Sequence, residues 1–301
     1  MSFSSLKNKS SAFDSNLLKA VEQLNSSSSY EDENNKFWKC EVDKSGNGMA
    51  TIRFLPAPEV DGDSGLPFVK LFSHGFQNNG KWLIDDCPTT INEPCPICEK
   101  NSELWNSGIK ANRDIVSGTR DNQGRKRKLS YIANIYVVSD PKHPENEGKV
   151  FLYKFGKKIF DKLTEAMHPA FEDEQKINPF NLWEGANFKL KIRKVDGYQN
   201  YDKSEFESPG PLASDAEMEK IWNSEFSLKE LVDPKKFKSY DKLKERLDMV
   251  LGTAETARKT TVETIRESAP KAVEDDAPWS ESTTNDDEDD LAYFANLVDD
   301  D

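Results

Sequence analysis

No stretch of this 301-residue sequence approaches the about 18 consecutive apolar residues that a membrane-spanning helix needs, so none is expected. The opening residues, MSFSSLKNKSSAF, contain no apolar run of signal-peptide length. Cysteine is scarce, with four residues, and two of them form Cys95-Pro-Ile-Cys98; without a secretion signal this pair reads as metal or redox chemistry rather than a disulfide framework. A cytosolic protein is expected. Paired catalytic carboxylates, a phosphate-cradling glycine loop and a nucleophile motif are all missing, which argues against an enzyme. Hydrophobic residues make up 36%, low for one fully packed globule, so part of the length is expected outside the fold.

The charge is unevenly placed. Of a formal net −13, residues 253–301 carry −11, from fifteen acidic and four basic residues, leaving −2 for the first 252. The overall acidity argues against nucleic acid, but its concentration at one end leaves the body free to present a basic face. Residues 274–301 hold twelve Asp or Glu and no Lys or Arg, a block that cannot fold alone. An acidic adaptor that binds basic proteins through this tail is the alternative to a nucleic-acid binder.

Three regions are expected: an N-terminal arm over 1–27, a core over 28–252, and an acidic tail over 253–301. In the arm, Leu17, Val21 and Leu24 fall at i, i+4, i+7, and the polar run 25–29 reads as a linker. The core reads mainly as strands. Trp38, Cys40 and Val42 alternate with polar residues, and Asn78-Asn79-Gly80 between apolar runs signals a hairpin. Residues 51–56, 130–138 and 150–155 are further strands. Phe188, Leu190 and Ile192 point one way from a strand whose other face carries Lys189, Lys191 and Arg193. Helices are expected over 215–226 and 241–251. The pattern predicts a small β-barrel with peripheral helices.

The metal pattern is His74, Cys87, Cys95 and Cys98. Cys-x2-Cys supplies two thiolates from one turn, and the hairpin centred on Asn79-Gly80 brings His74 and Cys87 to its open end. Cys40 is the alternative fourth ligand, although its alternation with Trp38 and Val42 favours a buried thiol. Four protein ligands leave no open position, so one structural zinc ion is expected.

Single-stranded nucleic acid needs cations for phosphates and aromatic faces for bases. Arg125-Lys126-Arg127-Lys128 leads into Tyr131; Tyr153, Lys157 and Lys158 follow, then Lys189, Lys191, Arg193, Tyr198 and Tyr201. Charged strand faces and core tyrosines account for any one of these, but not for the constellation.

Several strings resemble the single-stranded DNA-binding, or helix-destabilising, proteins of T-even bacteriophages. They include Gly46-Asn-Gly-Met-Ala-Thr-Ile-Arg-Phe-Leu-Pro56, His74-Gly-Phe-Gln-Asn-Asn-Gly-Lys-Trp82, Tyr131-Ile-Ala-Asn-Ile-Tyr-Val-Val138, Pro144-Glu-Asn-Glu-Gly-Lys-Val-Phe151 and Trp183-Glu-Gly-Ala-Asn-Phe188. The resemblance implies an OB-fold core with an inserted zinc subdomain (about 68–105), a flexible basic arm and a disordered acidic tail. It implies His74, Cys87, Cys95 and Cys98 as zinc ligands, and a DNA cleft of Arg53, Trp105, Lys126, Arg127, Lys128, Tyr131, Tyr153, Tyr198 and Tyr201, to which the basic–aromatic constellation adds Lys157. It further implies cooperative head-to-tail self-association through Lys7, Lys9, Ser10 and Ser11. Leu291, Phe294 and Leu297, at helical spacing in the tail, would capture replisome and recombination proteins in the cytoplasm of an infected bacterium. Asn8 stands where the family carries a cation, and Leu129 where it carries a hydroxyl; both changes bear on cooperativity.

Overall fold

The computed structural model describes residues 35–252 apart from 63–64, 120–123 and 172. The expected arm and tail, with Lys7, Lys9, Ser10, Ser11, Leu291, Phe294 and Leu297, lie outside the described residues. The chain divides into two compact units, Met1–Ser73 with Lys128–Phe237, and His74–Arg127 with Lys238–Asp301.

The first unit is mainly β. Its strands are β1 (Phe37–Trp38), β2 (Gly48–Phe54), the first half of β3 (Phe68–Asn78), and, beyond β4 of the second unit (Lys81–Asp86), β5 (Lys128–Ser139), β6 (Val150–Phe155), β7 (Phe188–Val195), β8 (Tyr198–Asn200) and β9 (Glu205–Phe206). The sheet order is β1-β6-β5-β2-β7-β8, with β3 also on β5 and β9 on β7. The twelve-residue β5 serves two partners in succession. Its first half pairs with Phe68–Ser73 of β3 and its second half with β2, while β6 runs along Tyr131–Tyr136.

Period-2 patterning places the core. Phe188, Leu190 and Ile192 are buried as expected, and pair with Ile52, Ala50 and Gly48 of β2. Phe54 sits 5.6 to 6.5 Å from the rings of Tyr153, Phe155, Phe180 and Phe188. The helix Lys157–Met167 closes this aromatic layer with Ile159, Phe160, Leu163 and Met167, one stripe at helical period. Buried Asn134 of β5 exchanges two hydrogen bonds with the backbone of Phe226, so its amide is satisfied at both ends.

In the second unit the β3–β4 hairpin turns at Asn79 and Gly80, with φ of 49° and 77°. Both residues occupy the left-handed region that this turn demands, which is why Asn-Gly marks it in sequence. We number the helices α1 (Pro96–Asn106), α2 (Lys110–Ser117), α3 (Lys157–Met167), α4 (Asp215–Trp222) and α5 (Tyr240–Leu251). The second unit holds α1, α2 and α5. Leu243, Leu247 and Val250 form the buried stripe of α5, which ends at Gly252 with φ 78°. Trp38, Cys40 and Val42 do not extend β1, which ends at Trp38; the expected helix over 215–226 stops at Trp222.

Candidate metal centre and nucleic-acid surface

His74 lies on β3, Cys87 just beyond β4, Cys95 at the N-cap of α1 and Cys98 in its first turn. Pro96 at the first helical position fixes the turn between the two thiols. The four ligand atoms all lie within 4.8 Å of one another. Cys87 Sγ is 3.6 Å from Cys98 Sγ, and His74 Nε2 is 3.4 Å from Cys95 Sγ and 3.6 Å from Cys98 Sγ. A tetrahedron with metal–sulfur bonds of about 2.3 Å has edges of about 3.8 Å, so these separations fit one ion at the centre. His74, Cys87 and Cys95 are buried, and no disulfide joins the thiols. Cys40 belongs to the first unit and is not one of the four clustered ligands.

The thiol-lined site also favours positive charge. Burial opposes charge on His74, yet hydrogen bonds from Cys87 and Cys95 raise its pKa to about 9. Hydrogen bonds from Cys95 and Cys98 pull the Cys87 thiol down, while hydrogen bonding to Cys87 and Cys95 pushes Cys98 up. Cys87 and Cys98, pushed in opposite directions, do not both ionise until a positive ion joins them. Thr89 Oγ1 lies 3.1 Å from Cys87 Sγ and accepts a 2.8 Å bond from Arg127 Nη1, linking the basic run to the cluster. His74 Nδ1 is buried without a hydrogen-bond partner among the described residues.

The basic run therefore splits. Half-buried Arg125 donates to Asn78 Oδ1 and stacks 5.2 Å from the Phe76 ring; Arg127 holds Thr89; Lys126 and Lys128 are exposed. Trp105, on α1, is 44% exposed, with the Arg113 guanidinium 5.8 Å from its ring.

In the first unit Lys157 is exposed on α3 and pairs with Asp161 at 3.0 Å. Tyr198 is 78% exposed at the β7–β8 turn, and Tyr201 is half-buried. Three residues expected at the DNA cleft lie inside. Tyr131 stacks on Phe160 with centroids 3.9 Å apart, and Tyr153 packs among Trp38, Phe54 and Phe155. Burial lifts the Tyr153 hydroxyl well above its ordinary pKa, with the nearby Tyr201 and Cys40 adding to the shift. Arg53 is 1% exposed, and its Nη2 donates to the carbonyls of Asn181, Leu182 and Gly210 at 2.9, 3.3 and 2.9 Å. Burial lowers its pKa to about 10, so it stays charged at neutral pH. Gly185 makes room for it: a Cβ there would lie 2.3 Å from the Asn181 carbonyl and 3.0 Å from Arg53.

Acidic side chains meet the β7 cations. Lys189 pairs with Glu207 at 3.0 Å, Lys191 with Glu205 at 2.6 Å, and Arg193 with Asp202. The strand register that would reveal these partners is a tertiary fact, invisible in local pattern.

Comparison with known proteins is consistent with these features. The family described as gp32 DNA binding protein like matches residues 46–251. A single-stranded DNA-binding protein of Enterobacteria phage T4 is 40% identical over 242 residues, covering 77% of this chain and 75% of that protein. The protein of the same description from Enterobacteria phage T2 is 41% identical over 227 residues, covering 72% and 70%.

Proposed function

Since the chain belongs to the gp32-like family of DNA-binding proteins, whose named members are binding proteins and not enzymes, we propose that it binds single-stranded DNA without sequence preference. The observation that carries this reading is Tyr198. A ring 78% exposed at a hairpin tip, beside a strand bearing Lys189, Lys191 and Arg193, offers a base a stacking face next to cations for phosphate. Stacking reads no base edge, so affinity follows the strand rather than its sequence.

In this reading Tyr198, Tyr201, Lys126, Lys128, Lys157 and Trp105 meet the strand. Arg53, Tyr131 and Tyr153 support the surface from beneath, Arg53 by tying three backbone carbonyls together and the tyrosines by filling the aromatic layer. The β core is an OB-fold. His74, Cys87, Cys95 and Cys98 hold one zinc ion, which supplies a rigid cross-link and no open coordination site. Lys7, Lys9, Ser10 and Ser11 dock on a neighbouring copy, building an open filament on DNA. Coated strands cannot reanneal, so the protein serves replication, recombination and repair in the cytoplasm of the infected host. The acidic tail brings partner proteins through Leu291, Phe294 and Leu297.

The test is quenching of intrinsic fluorescence by an unstructured oligothymidine, at low and high salt, beside a duplex of equal length. Salt-sensitive quenching by the single strand alone is expected. Equal response to duplex would overturn the reading.

A further inference from the structure

The outer face of β7 carries cations at every second position. Lys189, Lys191 and Arg193 are 37 to 47% exposed at their side chains, and successive ones are about 6.8 Å apart along an antiparallel strand. That spacing is comparable with the step between successive phosphates of an extended single strand. Each cation already has an anion. Glu207, Glu205 and Asp202, in or next to the neighbouring strands, meet Lys189, Lys191 and Arg193 in turn. The carboxyls of all three acids are held below their usual range, by hydrogen bonds from Arg193 at Asp202, from Lys191 at Glu205, and from Asn187 and Lys189 at Glu207.

The same face continues to an aromatic ring. Val195 pairs directly with Tyr198, and Arg193 with Asn200. Directly paired residues share a face, so Tyr198 projects on the side of the three cations. Exposed ion pairs add little to stability, and three in a row along one strand are an unusual investment in structure alone.

We propose that the outer face of β7 is a three-phosphate track for single-stranded DNA, held closed by the chain's own carboxylates, with Asp202, Glu205 and Glu207 occupying Arg193, Lys191 and Lys189 until phosphates displace them. The proposal rests on the single-strand reading above and adds to it a site and a regulating element. Displacement has an ionic signature. Each phosphate that binds releases counterions from DNA, but each carboxylate set free takes up cations from solution. The track therefore binds DNA with less salt dependence than three bare cations would give. It also resists adventitious polyanions, which must first evict the carboxylates.

The experiment measures oligothymidine affinity against salt for the full chain and for D202N/E205Q/E207Q. Three phosphate contacts no longer offset by cation uptake should steepen the log–log slope by about 2, since a single strand gives about 0.7 per contact. Between about 50 and 200 mM salt that is a further affinity loss of about 16-fold, with tighter binding than the unchanged chain at the low end. K191Q should weaken binding at every salt concentration. The variant E165Q/E219Q/E230Q removes the same net charge from exposed sites elsewhere in the first unit. An unchanged slope in D202N/E205Q/E207Q, or an equal shift in that control, would overturn the track while leaving single-strand binding intact. No binding by the unchanged chain would overturn both.

Discussion

Asp85 and Arg246 stand 161 positions apart in sequence and 2.8 Å apart in the fold. The Asp85 side chain, 3% exposed on β4, also receives Lys238 from the segment before α5. One buried carboxylate thus fastens α5 to the hairpin that presents His74 and leads to Cys87.

Replacing Asp85 with Ala should lower the stability of the second unit by about 2 kcal/mol. Breaking a buried pair costs more in general, but both cations are partly exposed and regain water. Arg246→Ala should cost less, because Lys238 still meets the carboxylate. Chemical denaturation followed by hydrogen exchange in 74–127 measures both; equal loss from the two substitutions would contradict the shared anchor.

Removing the metal should expose thiols selectively. A strong chelator is expected to make Cys87, Cys95 and Cys98 reactive toward a thiol reagent, while Cys40, buried in the first unit, stays protected. Cys98→Ser should release the ion and loosen the second unit without chelator. Elemental analysis of the purified protein reports which ion is bound and how many.

Glu225 sets a pH dependence. It is buried, neither carboxylate oxygen has a hydrogen-bond partner among the described residues, and burial, then the charge of Asp61, raises its pKa to about 9 from 4.5. The folded state therefore holds a proton that the unfolded chain has lost. Its contribution to stability is complete below pH 4.5 and is lost as pH rises toward 9, by at most about 1.4 kcal/mol per unit. Glu225→Gln should flatten that slope and be relatively more stable at pH 8 than at pH 5, read by thermal melts across the range.

Two tyrosines should separate binding from folding. Tyr198→Ala should weaken single-strand affinity by about 1–3 kcal/mol and leave the melting temperature unchanged. Tyr131→Ala should cost about 3–5 kcal/mol of stability, because its ring fills the stack against Phe160. Loss of binding by Tyr131→Ala at full stability would show that its ring, not its packing, meets DNA.

Deleting residues 253–301 should strengthen duplex melting and abolish capture of partner proteins, as measured by melting curves and pull-down. Unchanged behaviour in both assays would reduce the acidic segment to a solubility tail.

Local pattern revealed some of this fold and missed the rest for definite reasons. Phe188, Leu190 and Ile192 alternate because one sheet face is buried, and Asn79-Gly80 supplies the only backbone signs that the hairpin accepts cheaply. The ligand spacing of Cys95 and Cys98 is a property of one turn, so it too was readable. Helices α1 and α2 were not, because α1 buries little beyond Pro96, Ile97 and Asn101, and α2 buries Val116 alone. Neither shows a continuous apolar stripe. Tyr131 and Tyr198 look alike in sequence; which of them faces solvent depends on strand neighbours that only the register supplies. The carboxylates opposite Lys189, Lys191 and Arg193 were hidden for the same reason.

The two units interrupt each other along the chain, since 74–127 falls inside the first and 128–237 inside the second. Neither can be cut out as a contiguous fragment. During synthesis the hairpin and the cysteines emerge well before α5, by roughly 7–30 s at ordinary elongation rates. For that interval Asp85 lacks Lys238 and Arg246, and any cohesion of 74–127 comes from the hairpin, α1, α2 and an ion held by His74 and the thiols. Metal capture by these four ligands would then help to order this segment before α5 is made.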